Sequence, residues 1–186
     1  MNPIKNKKDL ETTIDVIRKS AYTYLEKYSP SKQQLRTHLL KKFLNKNQKI
    51  SSKNELFNLI DVVISTLINQ KFISDKHYSD VKTKTFLRRG YSLNKIRYSL
   101  IKKGIDEKYI KASISKIREN ESDPDFFSAI KICKKRRIGP SREEGNRALF
   151  YKKDISILAR SGFSYEISKK VLEIPKTEFE KFCKMI

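Results

Sequence analysis

The sequence predicts an all-α fold, built as an elongated tandem array of three three-helix, helix-turn-helix-like repeats. Apolar residues recur at intervals of three and four along most of the chain, and no segment alternates convincingly at a period of two. One segment also repeats: L-R-T-H-L-L-K-K-F, which begins at Leu35, aligns without gaps on I-R-Y-S-L-I-K-K-G, which begins 61 residues later at Ile96. A fainter copy, I-L-A-R-S-G-F, begins at Ile157. Such repeats bury their apolar faces against their neighbours.

These copies divide the chain into four segments. We expect a flexible N-terminal segment over residues 1–12 and repeats over residues 13–73, 74–120 and 121–186, the last of which includes a C-terminal tail.

Three helices are predicted in the first repeat. Residues 13–28 carry an apolar stripe that includes Tyr24 and Tyr28, and the motif S-P-S separates this helix from the next. The polar stretch 45–54 has no periodicity and predicts an exposed loop. Residues 53–70 are rich in β-branched side chains, but the length of this apolar segment favours a helix over a strand.

The central repeat has the clearest helix boundaries. Ser74 or Asp75 can cap its first helix and Ser92 its second, because their side-chain oxygens accept hydrogen bonds from free backbone N–H groups. Gly90 and Gly104 separate the helices, and the two lysines before Gly104 suit the carboxyl end of a helix. The apolar stripes of the second and third helices consist of Leu93, Ile96 and Leu100, and of Tyr109, Ile110, Ile114 and Ile117.

The third repeat follows the polar run N-E-S-D-P-D. Its first helix carries an aromatic and aliphatic stripe and ends in K-K-R-R-I-G-P. Residues 141–147 are predicted as a loop, and residues 151–160 and 164–172 as two short helices on either side of Gly162. Pro175 interrupts the chain before a final turn.

Charge is the strongest compositional feature. Of 186 residues, 42 are Lys or Arg and 21 are Asp or Glu, which gives a formal net charge of +21. Such a chain attracts polyanions, whether nucleic acid, acidic membranes or acidic protein surfaces, and this binding should depend steeply on salt. With 38% hydrophobic residues the chain can still form cores.

Membrane-spanning and secreted proteins are not expected. The longest apolar run is interrupted by polar residues, and the first residues lack the apolar core of a secretory signal. Cys133 and Cys183 show no pairing pattern, so we expect reduced thiols in a cytoplasmic protein.

Catalytic and metal-binding signatures are also missing from the sequence. The five glycines stand singly, without a phosphate-binding loop, and the two histidines have no ligand-like spacing to either cysteine. The acid pairs Asp123/Asp125 and Glu143/Glu144 could suit metal-dependent nuclease chemistry, but the proline and glycine beside them favour helix caps and a turn. We therefore expect a binding protein without enzymatic activity, cofactor or metal.

Two groups of cations are the candidate binding surfaces. Lys95, Tyr98 and Lys102 lie at i, i+3 and i+7 on one helix, opposite its apolar stripe. Lysines beside a tyrosine can hold phosphates and a stacked base, although an ordinary solvated helix face fits the pattern equally well. The candidate residues of both groups are Arg88, Arg89, Lys95, Arg97, Tyr98, Lys102, Lys103, Lys134, Lys135, Arg136 and Arg137.

Separate interpretations apply to Arg97, to the pair Arg88 and Arg89, and to the run from Lys134 to Arg137. Arg97 falls within the apolar sector of its helix, as Arg36 does in the first repeat; a guanidinium that meets an acid of a neighbouring helix is favoured over contact with a partner. Arg88 and Arg89 form a denser cluster without an acid, and so does the run from Lys134 to Arg137. Cations at helix ends explain part of this charge, but four in succession exceed what a helix end needs.

Three motifs resemble the RecX family, bacterial regulators of the RecA recombinase. They are I-S-D-K-H-Y-S at Ile73, R-R-G-Y-S-L-N-K-I-R-Y-S-L-I-K-K-G-I-D at Arg88, and L-A-R-S-G-F-S-Y-E-I-S-K-K-V-L at Leu158. The resemblance covers residues 21–172, and K-R-R-I-G-P is similar to the alphaproteobacterial branch. The chain departs from the family pattern at Ser74, where a second Asp is usual, and its first repeat has Phe43 in place of the glycine.

The resemblance implies a cytoplasmic, monomeric, non-enzymatic modulator that acts in homologous recombination, DNA repair and the SOS response. Such proteins bind in the helical groove of the RecA–DNA filament and limit its extension, and so reduce strand exchange, ATP hydrolysis and co-protease action. Direct contact with single- or double-stranded DNA would also suit the charge of this chain.

Two alternatives come from other classes. An independent helix-turn-helix DNA-binding protein would need a groove-reading helix, and no single helix combines Arg, Asn and Gln in that way. A basic protein of the membrane surface or the ribosome fits the charge but leaves the repeat unexplained.

Overall fold

The computed structural model describes residues 13–44 and 53–186, and all the regular elements in these ranges are helical. This confirms the all-α prediction. The predicted flexible segment 1–12 and most of the predicted loop 45–54 lie outside the described residues. The elements are α1 (Ile14–Leu25), α2 (Lys32–Leu44), α3 (Lys53–Asn69), α4 (Asp75–Arg88), α5 (Leu93–Ile101), α6 (Glu107–Asn120), α7 (Pro124–Arg136), a short 3-10 helix (Gly139–Ser141), α8 (Glu144–Arg160), α9 (Tyr165–Leu172) and α10 (Lys176–Met185).

The chain forms two compact units, of which one ends at Tyr78 and the other extends from Ser79 to Ile186. The boundary lies inside α4, close to the start of the predicted second repeat. The division into three repeats at residues 74 and 121 stays a prediction.

In the first unit, α1, α2 and α3 each pack against the other two. Leu35 and Leu39 are fully buried, as the aligned residues Ile96 and Leu100 are in the second unit. The same spacing therefore builds a core in both copies. The core of the first unit consists of Ile17, Ala21, Leu35, Leu39, Phe43, Leu56, Ile60, Val63, Ile64, Leu67 and Ile73.

The end of α1 differs from the prediction. The helix ends at Leu25 rather than at residue 28, and Tyr28 is 57% exposed instead of belonging to the apolar stripe. Pro30 disfavours the helical conformation in the residue before it, so the chain leaves the helix early. At the other end of the predicted loop, Lys53 and Asn54 form the first turn of α3.

Most of the predicted helix boundaries from residue 74 onwards are confirmed. The Ser74 Oγ accepts a hydrogen bond from the His77 N–H at 3.2 Å, and the Ser92 Oγ accepts one from the Lys95 N–H at 3.1 Å. Asp123 caps α7 through the Phe126 N–H, as the helix-cap interpretation of the acid pair required. Its neighbour Asp125 accepts a hydrogen bond from the Leu93 N–H at 2.7 Å, at the start of α5.

Two predictions for the C-terminal part of the chain are wrong. Residues 144–147 belong to α8, which begins at Glu144 rather than at residue 151. Arg147 donates hydrogen bonds to the carbonyl oxygens of Leu172 and Ile174 at 2.9 and 2.8 Å, and these contacts hold the first turns of the helix in place. The predicted final turn is the ten-residue helix α10, which buries Phe179 in the core.

Within the second unit, the start of α5 packs against the turn between α8 and α9. The Ser92 hydroxyl, which is buried, donates a hydrogen bond to the carbonyl oxygen of Ser161 at 3.1 Å. Gly162 has φ +88°, and a Cβ atom at this position would lie 2.4 Å from the Ser92 Oγ and 2.9 Å from the Lys95 Cβ. Only glycine fits both the backbone conformation and the close approach.

We expect Gly162→Ala to destabilise the protein by about 2 kcal/mol or more, because strain in the left-handed region adds to the clash with Ser92. Urea unfolding followed by circular dichroism measures the change. Gly145→Ala is the matched control: Gly145 lies in the first turn of α8, and a Cβ there meets nothing within 4 Å. This control should be neutral or should stabilise by up to about 1 kcal/mol. Equal unfolding midpoints for the two variants would contradict the packing described here.

Candidate nucleic-acid and partner interface

The predicted cations at the junction of α4 and α5 are exposed. Arg88 is the last residue of α4 and Arg89 follows it, and both side chains face solvent. Among the described residues, no recorded ion pair involves either guanidinium. Both cations are therefore available to an anionic partner.

On the predicted binding face of α5, Lys95 makes contacts within the protein, whereas Tyr98 and Lys102 are exposed. The Lys95 ammonium donates a hydrogen bond to the carbonyl oxygen of Arg160 at 3.3 Å and lies 4.6 Å from the centroid of the Tyr91 ring. It thus neutralises the carboxyl end of α8. Tyr98, which is 59% exposed, and Lys102, at the carboxyl end of α5, face solvent.

Arg97 makes the intramolecular contact that its position favoured. Its Nε lies 2.7 Å from the Glu107 Oε1 on α6, and this hydrogen bond raises the pKa of Arg97. Arg36 pairs in the same way with Asp61 on α3, at 2.6 and 2.9 Å through two guanidinium nitrogens. The interpretation as a link between neighbouring helices is confirmed for both arginines. The two aligned arginines therefore make equivalent contacts within the protein. Lys103, another of the candidate residues, is half-buried.

The four cations from Lys134 to Arg137, at the carboxyl end of α7, also have different surroundings. The Lys134 ammonium donates a hydrogen bond to the Cys183 carbonyl oxygen at 3.0 Å, near the end of α10. Lys135, Arg136 and Arg137 are exposed, and Arg137 ends the helix in the left-handed conformation with φ 52°. Lys134 is thus bound to the end of α10, whereas Lys135 and Arg136 in the last turn of α7 and Arg137 after it face solvent.

A buried carboxylate fixes the turn that follows this run. Asp154 on α8 is 1% exposed; its Oδ2 accepts hydrogen bonds from the Gly139 N–H at 2.8 Å and the Arg142 Nε at 2.7 Å. The second carboxylate oxygen accepts one from the Arg142 Nη2 at 2.8 Å. This pairing raises the pKa of Arg142. Asp154 therefore fixes the backbone at Gly139, directly after the four cations from Lys134 to Arg137.

Sequence reasoning missed this carboxylate, although a signal was present. Asp154 precedes Leu158 by four residues, as Ile96 precedes Leu100 in the central copy. A carboxylate in a core position of a repeat needs a buried partner, because an unpaired charge is expensive to bury. Arg142 and the Gly139 N–H supply that partner.

Two absences hold for the described ranges, 13–44 and 53–186. None of their helices is both long and apolar enough to cross a bilayer. No cluster of three His, Cys, Asp or Glu side chains that could hold a metal ion occurs there. Burial raises the pKa of the Cys133 thiol to about 12, so this thiol is unreactive at neutral pH.

The packed helices and the outward-facing cations define an all-α protein with basic surfaces. No family model matches the sequence. Regulatory protein RecX of Myxococcus xanthus is 27% identical over 161 residues, which cover 84% of this chain and 84% of the relative. Regulatory protein RecX of Agrobacterium fabrum is 25% identical over 163 residues, which cover 88% and 85% of the two chains.

The fold is also found in a solved structure. The crystal structure of RecX from Lactobacillus salivarius matches with a TM-score of 0.60 and 19% identity, over 90% of this chain and 97% of the other. This structure shows that the fold is shared, and the curated relatives show that the sequence is similar to regulatory protein RecX. The relatives are named as regulatory proteins rather than enzymes, in agreement with the expectation from the sequence. Because they include a Myxococcus protein as well as an Agrobacterium protein, they do not single out the alphaproteobacterial branch.

Proposed function

We propose that this protein is a cytoplasmic, monomeric inhibitor of the RecA recombinase that binds in the helical groove of the RecA–DNA filament. Binding there limits filament extension, strand exchange and ATP hydrolysis. The observation that carries the proposal is the similarity to regulatory protein RecX over more than four fifths of both chains. Within the family, the motif K-R-R-I-G-P is what favours the alphaproteobacterial type.

The charge distribution supports a polyanionic partner. The formal net charge is +21, and the exposed cations at the ends of α4, α5 and α7 have no recorded acidic partner among the described residues. A RecA–DNA filament presents phosphates together with acidic side chains, and either could neutralise this surface. The cations that carry the proposed contact are Arg88, Arg89, Lys102, Lys135, Arg136 and Arg137.

An independent helix-turn-helix DNA-binding protein remains the second candidate. It is favoured only by the positive charge, which would bind free DNA without RecA. The two candidates differ in whether the filament or naked DNA is the preferred target, and a single set of variants can distinguish them.

We expect Arg89→Glu with Lys102→Glu to weaken binding to RecA filaments by about tenfold or more, because two attractive contacts become repulsive. Each lost phosphate contact should also flatten the log–log salt dependence by about 0.7–0.9. Fluorescence anisotropy measures binding to filaments and to free single-stranded DNA in parallel. Weakening on both targets indicates DNA contact, whereas weakening on the filament alone indicates contact with RecA.

The control carries the same change of charge elsewhere in the second unit. Lys111 on α6 and Lys152 on α8 are exposed, and Lys111→Glu with Lys152→Glu should leave filament binding within about threefold of the wild type if position rather than net charge decides. Unchanged binding in the Arg89/Lys102 variant, or an equal loss in both variants, would remove the proposed role of this surface.

A further inference from the structure

The first unit contains a cavity that none of the predicted cationic groups includes. It lies between α1 and α2 and has a volume of about 470 Å³, within the range of small-ligand sites. Its lining combines aromatic, basic and hydroxyl side chains and contains no carboxylate. The lining residues are Ser20, Thr23, Tyr24, Lys27, Tyr28, His38 and Lys42.

Three aromatic rings lie side by side in this cavity. The Tyr24 ring lies nearly parallel to the His38 imidazole, with centroids 3.9 Å apart and an angle of 18°. The Tyr28 ring packs against Tyr24 at 4.8 Å with a tilt of 39° and is 57% exposed. Burial and the nearby Lys42 lower the pKa of His38, which favours the neutral imidazole. Tyr28 therefore presents an exposed ring at the edge of the cavity that can accept another planar group.

The cavity is also cationic. The Lys42 ammonium donates a hydrogen bond to the Ser20 hydroxyl at 2.6 Å, a neutral partner that leaves its positive charge uncompensated. Lys27 is exposed at the same cavity, and within the described ranges no ion pair involves Lys27 or Lys42. An aromatic platform beside two uncompensated cations matches the chemistry of a nucleotide, whose base stacks and whose phosphate carries negative charge.

We propose that this cavity binds one unpaired nucleobase and an adjacent phosphate of single-stranded nucleic acid. The base stacks on Tyr28, and Lys27 and Lys42 hold the phosphate. Duplexes do not offer an unstacked base, so the site selects single strands. The site is independent of RecA, and its test uses the protein alone, so its failure would leave the proposed regulatory function untouched.

A double-mutant cycle between Tyr28 and the base tests the stacking directly. A short fluorescent deoxythymidine oligomer is compared with an abasic oligomer that has the same phosphates. We expect Tyr28→Ala to weaken binding of the deoxythymidine oligomer roughly 5- to 150-fold, the range for loss of one aromatic–base stack, and to leave binding of the abasic oligomer unchanged. Tyr28→Phe keeps the ring and should bind as the wild type does.

Tyr165→Ala is the matched control for this cycle, because Tyr165 at the start of α9 is similarly exposed, has the exposed Lys169 one turn further on, and belongs to none of the candidate surfaces. It should not change the difference between the two oligomers. A uridine oligomer compared with the deoxythymidine oligomer identifies RNA or DNA as the source of the base. An equal effect of Tyr28→Ala on both deoxy-oligomers, or no effect on either, would overturn the proposal.

The phosphate contact is tested by Lys42→Met against Lys41→Met. The two lysines are adjacent on α2, but Lys41 is exposed and does not line the cavity. Lys42→Met should reduce the slope of log affinity against log salt by about 0.7, the value for one contact with a single strand. Lys41→Met should leave the slope unchanged. Equal slopes for the two variants would contradict a phosphate contact at Lys42.

Discussion

Replacing Asp154 by alanine should destabilise the second unit by about 3–5 kcal/mol, the range for removing one partner of a buried ion pair. The substitution leaves the half-buried Arg142 guanidinium and the Gly139 N–H without their acceptor. Arg142 also lies 4.5 Å from the centroid of the Phe150 ring, which cannot replace the carboxylate as a hydrogen-bond acceptor. Urea unfolding followed by far-ultraviolet circular dichroism gives the free energy of unfolding.

Asp61→Ala is the matched control for this experiment. Asp61 also accepts two hydrogen bonds from an arginine, Arg36, but its side chain is 50% exposed. Water can replace the lost partner there, and the expected cost is about 1 kcal/mol or less. A loss of stability in Asp154→Ala that does not exceed the loss in Asp61→Ala would mean that the carboxylate does not anchor the turn after α7.

Leu100→Ala should cost about 2–5 kcal/mol, the range for a buried leucine replaced by alanine. Leu100 is 0% exposed and completes the apolar stripe that Leu93 and Ile96 begin on α5. The cost combines the lost burial with the cavity that the smaller side chain leaves. The same denaturation measurement applies.

Substituting the next residue, Ile101, tests which face of α5 is buried. Ile101 follows Leu100 on α5 but is 42% exposed, so Ile101→Ala should cost about 1 kcal/mol or less. If the two substitutions destabilised equally, or if Ile101→Ala were the more damaging, the buried face of α5 would be assigned wrongly.

The helices and much of the core were predictable because they depend on local chemistry. Leu35 and Leu39 are buried as Ile96 and Leu100 are, since the same interval places them on one face of the helix. Ser92 caps α5 through a hydrogen bond within its own turn, so the residue type and its position were sufficient. Arg36 and Arg97 were assigned to acids of neighbouring helices because their angular positions lie beside the core.

Features that depend on contacts between distant segments were not predictable. Gly145 favoured a loop in the sequence-based prediction. The helix α8 nevertheless begins at Glu144, because Arg147 donates hydrogen bonds to carbonyl groups 25 and 27 residues away. Tyr24 and Tyr28 fitted an apolar stripe, whereas the ring stack on His38 depends on how α2 packs against α1.

The candidate site was only partly predictable for the same reason. Lys95 lies on the face of α5 that the sequence indicated. Its ammonium group, however, donates a hydrogen bond to the carbonyl oxygen of Arg160, 65 residues further along the chain. Helical periodicity gives the direction of a side chain. It does not give the neighbour that the side chain meets.

Electron microscopy of RecA filaments on single-stranded DNA, with and without this protein, tests the central claim most directly. The proposed function predicts added density in the helical groove and shorter filaments as the protein is titrated in. Filaments of unchanged length with empty grooves, under conditions in which the protein binds naked single-stranded DNA, would contradict regulation of RecA and favour an independent DNA-binding protein.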